Sequence, residues 1–285
     1  VKVHPSPLQV ATSASGKKRA VIDMSYPRDS SINDAIPDNW NLVPGFSGTF
    51  HFPTHDDLCR EITKLQDPVM FVADMAAWIM QLCCDPVDWP YLAFAWRGAI
   101  YIHRRLPFGC RASCLHAQQV TDAIAAIFRE TVQRYVDDFV SVMERLVSAV
   151  SYLAFQDLTV ELGTKRAVEK DQLPDVYRVF LGLLYDLLRR TLHLPEEKRL
   201  RVLGLLDKWL AMDRCSKQDI ESLVRLLNHV TTVVPAGRPF CSSLLDTLKE
   251  GSFPADISSD LHKDIEMWKQ FCVARMIVLS ACIHW

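Results

Sequence analysis

The sequence predicts an α+β fold in which strands and helices mix up to about residue 192 and helices dominate after it. Before that point, short apolar runs such as residues 68–75 have the length and composition of buried strands. After it, the Pro-Glu-Glu run at 195–197 places a proline at a first helical position with acids in the first turn. Ser216 and Asp219 have the spacing of a second helix start. The 285 residues, 49% of them hydrophobic, are enough for one large domain or two to three compact subdomains.

Composition excludes several classes of protein. No apolar run reaches the length of a membrane span, and the first residues lack the pattern of a secretion signal. We therefore expect an intracellular protein, cytoplasmic or nuclear, with no membrane partner. Nine cysteines, an odd number without a Cys-x-x-Cys pair, argue against a zinc ribbon and against a disulfide scaffold.

The net charge of −2 hides an uneven distribution along the chain. Residues 91–120 carry four arginines and no acid, whereas residues 56–88 carry seven acids and two bases. A basic surface next to an acidic one is typical of a polyanion track beside a metal site. Ordinary solvated faces give the same pattern, and on charge alone they are the better interpretation.

The elements of the first 130 residues follow from local patterns. Residues 27–56 are rich in proline and glycine and are predicted to be irregular. Residues 68–75 form a buried strand with Asp74 at its carboxyl end. Aromatic, β-rich runs flank Arg97-Gly98, which predicts a hairpin with a two-residue turn. Residues 113–129 have helical spacing.

The next segments are predicted in the same way. Residues 132–142 form a second hairpin with acids at its tip, and residues 144–155 are helical. Leu162-Gly163 is a helix stop. Residues 176–184 are apolar and β-like, and from 195 to about 248 the chain is nearly all helix.

The strongest chemical motif is Tyr135-Val136-Asp137-Asp138 within an apolar run. Two adjacent carboxylates at a hairpin tip raise each other's pKa, and a divalent metal removes that cost. Hard cations such as Mg²⁺ take carboxylate oxygens and keep water and phosphate as their other ligands. The alternative is an exposed turn with two acids, since Asp is a favoured turn residue.

Asp74 is the second candidate, because it ends its own apolar strand far upstream of the Asp-Asp pair. Phosphoryl transfer by two metals needs carboxylates from separate elements around a metal pair. A strand-end Asp together with a hairpin Asp-Asp can build such a site. Taken alone, Asp74 is more simply a strand cap.

These motifs resemble, in order and spacing, the reverse transcriptases of retroelements, most closely those of tyrosine-recombinase (DIRS-type) retrotransposons. The resemblance runs from about Ser6 to Phe240. It rests on the following segments: Ser6-Pro7-Leu8, residues 18–27 (KRAVIDMSYP), residues 30–34 (SSIND), residues 74–89, Leu92-Ala93-Phe94-Ala95-Trp96, Leu106-Pro107-Phe108-Gly109, Tyr135-Val136-Asp137-Asp138, Lys165, Phe180-Leu181-Gly182 and Pro235-Ala236-Gly237-Arg238.

The resemblance implies a right-hand polymerase fold with fingers, a palm built on an antiparallel sheet, and a helical thumb. Its expected segments are fingers at 1–66, the first catalytic strand of the palm at 67–82, a fingers hairpin at 83–109, the palm with the Tyr-Val-Asp-Asp hairpin and primer grip at 110–192, the thumb at 193–250, and a connection at 251–285. The run from Met276 to Ile283 could then be the first strand of an RNase H domain.

The resemblance also implies roles for individual residues. Asp74, Asp137 and Asp138 would be carboxylate ligands of two Mg²⁺ ions, or of Mn²⁺, with the Met75 carbonyl as a backbone ligand. The remaining nucleotide-site residues would be Arg19 on the incoming triphosphate, Phe108 and Gly109 beside nucleotide and template, Ile79 under the sugar, and Lys165 near the leaving pyrophosphate. For Lys165, a solvated surface lysine is an equally good interpretation.

The sequence departs from the family in the first catalytic motif. Trp78 stands where the family has a small residue, and Ile79 where it has the aromatic residue that screens the 2′ position of the sugar. The family's fingers lysines fall at Ser13 and Ala14, and the expected proline after Leu-Pro-Phe-Gly is Cys114. If Trp78 folds into the core, the pocket is looser. If it projects outward, the pocket is blocked.

Two functions therefore follow from the sequence. The first is an RNA-directed DNA polymerase that extends a primer on an RNA or DNA template with deoxynucleoside triphosphates, in an element that could also carry RNase H and recombinase modules. The intact Asp74, Asp137 and Asp138 favour it. The second is a decayed domain of this type that binds nucleic acid without polymerising, which Trp78 and Ile79 favour.

Overall fold

The structure is a computed structural model that describes residues 3–12, 16, 18–36, 54–128, 132–274 and 278–279. Ser13, Ala14, most of the turn-rich stretch after residue 36 and most of the run from Met276 to Ile283 lie outside these residues. The chain divides into two compact units. The first unit comprises Val1–Glu61 and Met70–Pro174, and the second comprises Ile62–Val69 and Asp175–Trp285.

Strands and helices alternate through the first unit and into the second. The strands are β1 (Pro5–Ser6), β2 (Leu8–Thr12), β3 (Lys18–Ile22), β4 (Pro68–Asp74), β5 (Ala93–Trp96), β6 (Ala99–Ile102), β7 (Val132–Tyr135), β8 (Asp138–Glu144), β9 (Gln172–Asp175), β10 (Tyr177–Phe180), β11 (Leu183–Asp186), β12 (Thr191–His193), β13 (Arg214–Cys215), β14 (Ala255–Asp256) and β15 (Val278–Leu279). The α-helices are α1 (His55–Thr63), α2 (Trp78–Gln81), α3 (Ser113–Phe128), α4 (Ser148–Glu161), α5 (Glu196–Leu210), α6 (Lys217–Val230), α7 (Ser242–Glu250) and α8 (Ser259–Val273).

A four-stranded sheet in the order β7-β8-β4-β9 carries the candidate site. In β4, six of seven residues are buried and only Asp74 is partly exposed, which confirms the predicted buried strand with an acid at its end. Strands β7 and β8 form the predicted hairpin and are antiparallel, with Tyr135 opposite Asp138. The turn between them is therefore Val136-Asp137.

Aromatic rings fill the space between this sheet and helix α4. Phe155 is fully buried, and the rings of Phe71, Phe128 and Phe139 lie within 5.2–5.6 Å of its centroid. Tyr152, one turn earlier, packs edge-on against Phe71. This cluster ties β4 and β8 to the helix and so fixes the strands that carry the acids.

Two further hairpins complete the first unit. Strands β2 and β3 pair antiparallel, and β5 and β6 pair with each other, with β1 parallel to β5. Arg97 and Gly98 both have positive φ, as a two-residue hairpin turn requires. This confirms the hairpin predicted from sequence.

The second unit combines a four-stranded sheet in the order β10-β11-β12-β15 with helices α5 to α8. Helix α5 begins at Glu196, so Pro195 is its N-cap residue and not its first helical residue as predicted. Helix α6 begins with the predicted capping box of Ser216 and Asp219. Helix α8 packs along α5 and buries Trp268. The helical region is thus confirmed, but it is interrupted by the short strand β13, which pairs with β14.

Two boundaries differ from the sequence-based prediction. Residues predicted to begin a helix at 144 instead continue β8 to Glu144, and α4 starts at Ser148. The apolar run at 176–184 is two strands, because Leu181 and Gly182 both adopt positive φ and turn the chain. At residue 144 the apolar composition suited either state and packing in the sheet decided, whereas the β-like prediction for 176–184 is confirmed. The division into fingers, palm and thumb segments stays a prediction.

The described cysteines and helices add two observations. All eight cysteines within these residues are free thiols. Among the helices in the described part of the chain, none combines the length and the apolar character needed to cross a bilayer.

The aromatic cluster gives the first testable prediction. Phe155→Ala should lower the free energy of unfolding by about 3–5 kcal/mol, because it removes a fully buried ring and leaves a cavity. Urea denaturation followed by circular dichroism measures this. Leu153→Ala on the same helix is the control, since Leu153 is 57% exposed and should cost less than about 0.5 kcal/mol. Equal losses in the two variants would contradict the central position of Phe155.

Candidate active site

The carboxyl end of β4 meets the turn between β7 and β8. The Met75 N–H, next to Asp74, donates to the Asp137 carbonyl at 2.9 Å. This bond brings together the acids that the sequence placed in two distant segments. Asp74, Asp137 and Asp138 are each partly buried at this junction.

The carboxylates influence one another electrostatically. Burial, with a contribution from Asp74, raises the pKa of Asp137. Burial, followed by the charges of Asp137 and Asp74, raises the pKa of Asp138 to about 6. The positive charges of Lys170 and Arg19 oppose the rise at Asp137. The three acids therefore share one local field, as a cation site requires.

The donor chemistry of this junction is of the kind that a hard divalent cation takes, because it offers three carboxylates from separate segments of the chain. In the arrangement observed, the cation on Asp74 is the Lys170 ammonium, which lies 2.8 Å from Oδ1. No three acid, histidine or cysteine side chains among the described residues converge closely enough to hold one ion. A metal would therefore share or displace the Lys170 contact with Asp74.

No sequence motif marks Lys170. The predicted lysine, Lys165, is exposed, as Lys170 is, and its backbone bonds to the segment that follows β4. Its carbonyl accepts from the Ala76 N–H at 2.9 Å, and its N–H donates to Gln81 Oε1 at 2.7 Å. No local sequence pattern distinguishes Lys165 from Lys170. Which of the two contacts Asp74 depends on the path of the backbone beside β4.

A buried ion pair supports the end of β4 from below. The Asp171 side chain is 2% exposed and pairs with Arg166 at 2.5 Å. Asp171 also accepts from the Tyr152 hydroxyl at 2.9 Å and from the Asp74 N–H at 3.4 Å. These donors meet the hydrogen-bonding capacity of the buried Asp171 carboxylate. The carboxylate in turn restrains the backbone that carries Asp74.

The Leu-Pro-Phe-Gly turn docks on β3, the strand that carries Arg19. The Ile22 N–H donates to the Phe108 carbonyl at 3.1 Å, and Asn33 Nδ2 donates to the Gly109 carbonyl at 2.9 Å. Gly109 has φ +105°, and a Cβ there would lie 1.9 Å from the Ile22 carbonyl oxygen. The glycine is therefore required by the close approach of the two segments.

The two departures in the first catalytic motif are both buried. The Trp78 side chain is 2% exposed, and its Nε1 donates to Thr121 Oγ1 at 2.8 Å on helix α3. Ile79 is 8% exposed. Trp78 thus folds into the core and does not project outward, and the looser nucleotide pocket expected from this arrangement stays a prediction.

Comparison with known proteins identifies the fold. No family model matches the chain, and no curated protein matches its sequence. Among solved structures, a foamy viral protease-reverse transcriptase (dRH) in complex with double-stranded DNA matches with a TM-score of 0.73 and 17% identity over 95% of this chain and 44% of that chain. The chain has a reverse-transcriptase-like fold.

Two related structures agree. The foamy viral protease-reverse transcriptase in complex with double-stranded DNA matches with a TM-score of 0.72 and 18% identity, over 96% of this chain and 53% of that chain. The same enzyme in complex with an RNA/DNA hybrid matches with a TM-score of 0.74 and 15% identity, over 95% and 34%. The chain thus spans about half the length of these proteins or less.

The matches confirm the mixed α and β polymerase fold expected from the sequence. At these identities they show the fold alone. The reverse-transcriptase-like motifs of the sequence and the meeting of Asp74 with Asp137 in the structure are consistent with that fold.

The docking of the Leu-Pro-Phe-Gly turn predicts a specific sensitivity. Gly109→Ala should lower the free energy of unfolding by about 2–3 kcal/mol, because the new Cβ meets backbone and the positive φ is strained. Thermal and urea unfolding measure the loss. Gly204→Ala, within α5 and with open space around its Cα, is the matched control and should be neutral or stabilising by about 0.5–1 kcal/mol. Similar losses in both would argue against a tight docking.

Proposed function

We propose that this chain is the RNA-directed DNA polymerase domain of a retrotransposon. The observation that carries the proposal is the meeting of Asp74 with Asp137 and Asp138 at one junction within a reverse-transcriptase-like fold. The primer 3′-hydroxyl attacks the α-phosphate of a deoxynucleoside triphosphate. A phosphodiester bond forms, the bond to the β-phosphate breaks, and pyrophosphate leaves.

Asp74 and Asp137, with Asp138 and the Met75 carbonyl, would hold two Mg²⁺ ions, or Mn²⁺. When bound, such ions lower the pKa of the attacking hydroxyl and neutralise charge on the leaving group. The protein's own part is positioning. Strand β4 and the β7–β8 turn hold the acids in place, and partial burial strengthens their effect on nearby charge.

Basic residues serve the triphosphate end. Arg19 lies on β3 and its charge acts on Asp137, which supports a role for its guanidinium in bidentate contact with the phosphate oxygens of the triphosphate. Phe108 and Gly109 would flank nucleotide and template. Of the two lysines, we favour Lys170 over Lys165 as the donor of a proton to the leaving pyrophosphate, because its ammonium lies beside the acids, 2.8 Å from Asp74. The bond to Asp74 raises the pKa of Lys170, so the proton is donated once that contact is released.

The partner would be a primer annealed to an RNA or DNA template. The foamy viral enzymes of the same fold were solved with double-stranded DNA and with an RNA/DNA hybrid. The sequence motifs further support an origin in a tyrosine-recombinase (DIRS-type) element, whose protein would act in the cytoplasm or nucleus and could add RNase H and recombinase modules.

Primer extension on poly(rA)/oligo(dT) with Mg²⁺ tests the proposal. Asp137→Asn should lower the extension rate by at least about 10³-fold, since it removes a charge needed in the transition state. Binding to the primer–template, which depends on Lys and Arg contacts with phosphates, should change less than about twofold. The matched control is Asp157→Asn on the exposed side of α4, which should extend like the wild-type protein.

Loss of both extension and binding in Asp137→Asn, with a normal unfolding curve, would contradict this division of roles. An active Asp137→Asn protein would remove the two-metal proposal altogether.

The lysine assignment is tested separately. Lys170→Met should lower the single-turnover extension rate by about 10²-fold, the usual size of a general-acid contribution, whereas Lys165→Met should lower it by less than about threefold. Rapid-quench measurement of the first nucleotide addition separates chemistry from product release. The reverse order of effects would return the role to Lys165.

The second candidate is a decayed domain that binds nucleic acid without polymerising. It is favoured by Ile79, which is buried where the family has an aromatic gate. The wild-type protein would then bind the primer–template with the usual salt dependence and yet give no extension with either Mg²⁺ or Mn²⁺.

A further inference from the structure

The turn that carries Asp137 holds a strained residue. Val136 has φ +53°, in the left-handed region. A β-branched side chain is rarely found there, because its Cβ crowds the backbone. Such a conformation persists only where its surroundings hold it in place, so the contacts of Val136 show what keeps the turn formed.

Helix α3 binds both backbone groups of Val136. The Val136 N–H donates to Gln118 Oε1 at 2.7 Å, and Thr121 Oγ1 donates to the Val136 carbonyl at 2.5 Å. The side chains of Gln118 and Thr121 belong to fully buried residues one turn apart on the helix. The strained residue is therefore held from one side by two polar groups on buried residues, where hydrogen bonds are stronger than in water.

Trp78 determines where the Thr121 proton goes. A threonine hydroxyl has one proton, and Thr121 Oγ1 has two carbonyl acceptors within reach, Ala117 at 2.9 Å and Val136 at 2.5 Å. Trp78 Nε1 donates to Thr121 Oγ1 at 2.8 Å and more weakly to the Ala117 carbonyl at 3.3 Å. The indole N–H donates both to the Ala117 carbonyl and to a lone pair of Thr121 Oγ1. The Thr121 hydroxyl proton is therefore available for the hydrogen bond to the Val136 carbonyl.

We propose that Trp78 and Thr121 are positioning residues that form a hydrogen-bond relay, Trp78 to Thr121 to Val136, which locks the turn carrying Asp137. The role of the relay in catalysis rests on the proposed polymerase function, whereas its role in the turn does not. Trp78 can then act on the turn only together with Thr121. A small residue at position 78 could not reach helix α3.

Packing alone is the competing explanation, and the two differ in what they require of the side chains. Packing needs the volume of Trp78 and Thr121 but neither the indole N–H nor the hydroxyl. The relay needs both polar groups and needs them together. Changes that keep volume and remove one polar group therefore separate the two explanations.

Hydrogen–deuterium exchange of the peptide spanning residues 132–144 reports on the turn without any need for activity. Thr121→Val should raise exchange of the turn amides about tenfold, since the Val136 carbonyl loses its partner. Thr121→Ser keeps the hydroxyl and should restore near wild-type exchange. Thr159→Val is the matched control, because Thr159 is equally buried but donates only within its own helix α4, to the Gln156 carbonyl.

The coupling is measured by a double-mutant cycle. Trp78→Phe should raise turn exchange about threefold, because the Thr121 proton is then shared between two carbonyls. In the Thr121→Val background the same change should add nothing, since the relay is already broken. Additive effects, or wild-type exchange in Thr121→Val, would overturn the proposal. Should Thr121→Val not fold, unchanged turn exchange in Trp78→Phe would overturn it.

Primer extension adds the catalytic consequence. Thr121→Val should lower kcat about tenfold and leave KM for the primer–template within about twofold, because the turn positions a charge and does not bind the duplex. Thr159→Val should do neither. If the wild-type protein does not extend primers, the polymerase proposal fails while the exchange measurements still decide the relay.

Discussion

The hydrogen bond from the Met75 N–H to the Asp137 carbonyl joins the end of a buried strand to the tip of a distant hairpin. Everything at the candidate site depends on this junction. It places Asp74 within the electrostatic reach of Asp137 and Asp138, and it sets the position from which Lys170 contacts Asp74. A backbone bond is suited to this task, since it uses none of the carboxylate oxygens.

Bringing acids together in a partly buried place is unfavourable, and the surrounding structure shows how the chain compensates. Lys170 supplies a positive charge at the surface of the site, and the buried Arg166–Asp171 pair restrains the strand end beneath it. A buried pair of this kind contributes little net stability, but removal of either partner is costly. The site therefore combines mutual repulsion between the acids with a restrained backbone.

The fold buries both residues at which the sequence departs from the family's first catalytic motif. Trp78 occupies the core against α3 and reaches Thr121, so the large side chain in the first motif has a partner from another element. Ile79 is likewise buried and leaves no aromatic ring at that position. The two departures thus have different consequences. Trp78 is accommodated by polar contacts with α3, whereas Ile79 changes the lining expected beneath the sugar.

The sequence by itself determined the mixed α and β fold class, the strand ending in Asp74, the β5–β6 and β7–β8 hairpins of the first unit, and the starts of α5 and α6. Each of these is encoded locally, in apolar period, turn residues or caps that act over a few positions. Only the tertiary structure decided that Lys170 rather than Lys165 contacts Asp74, that Asp171 lies buried beneath it, and that Trp78 bonds to Thr121. These contacts join residues far apart in the chain. Which of several similar side chains makes each contact depends on the path of the backbone, and no local sequence pattern encodes that path.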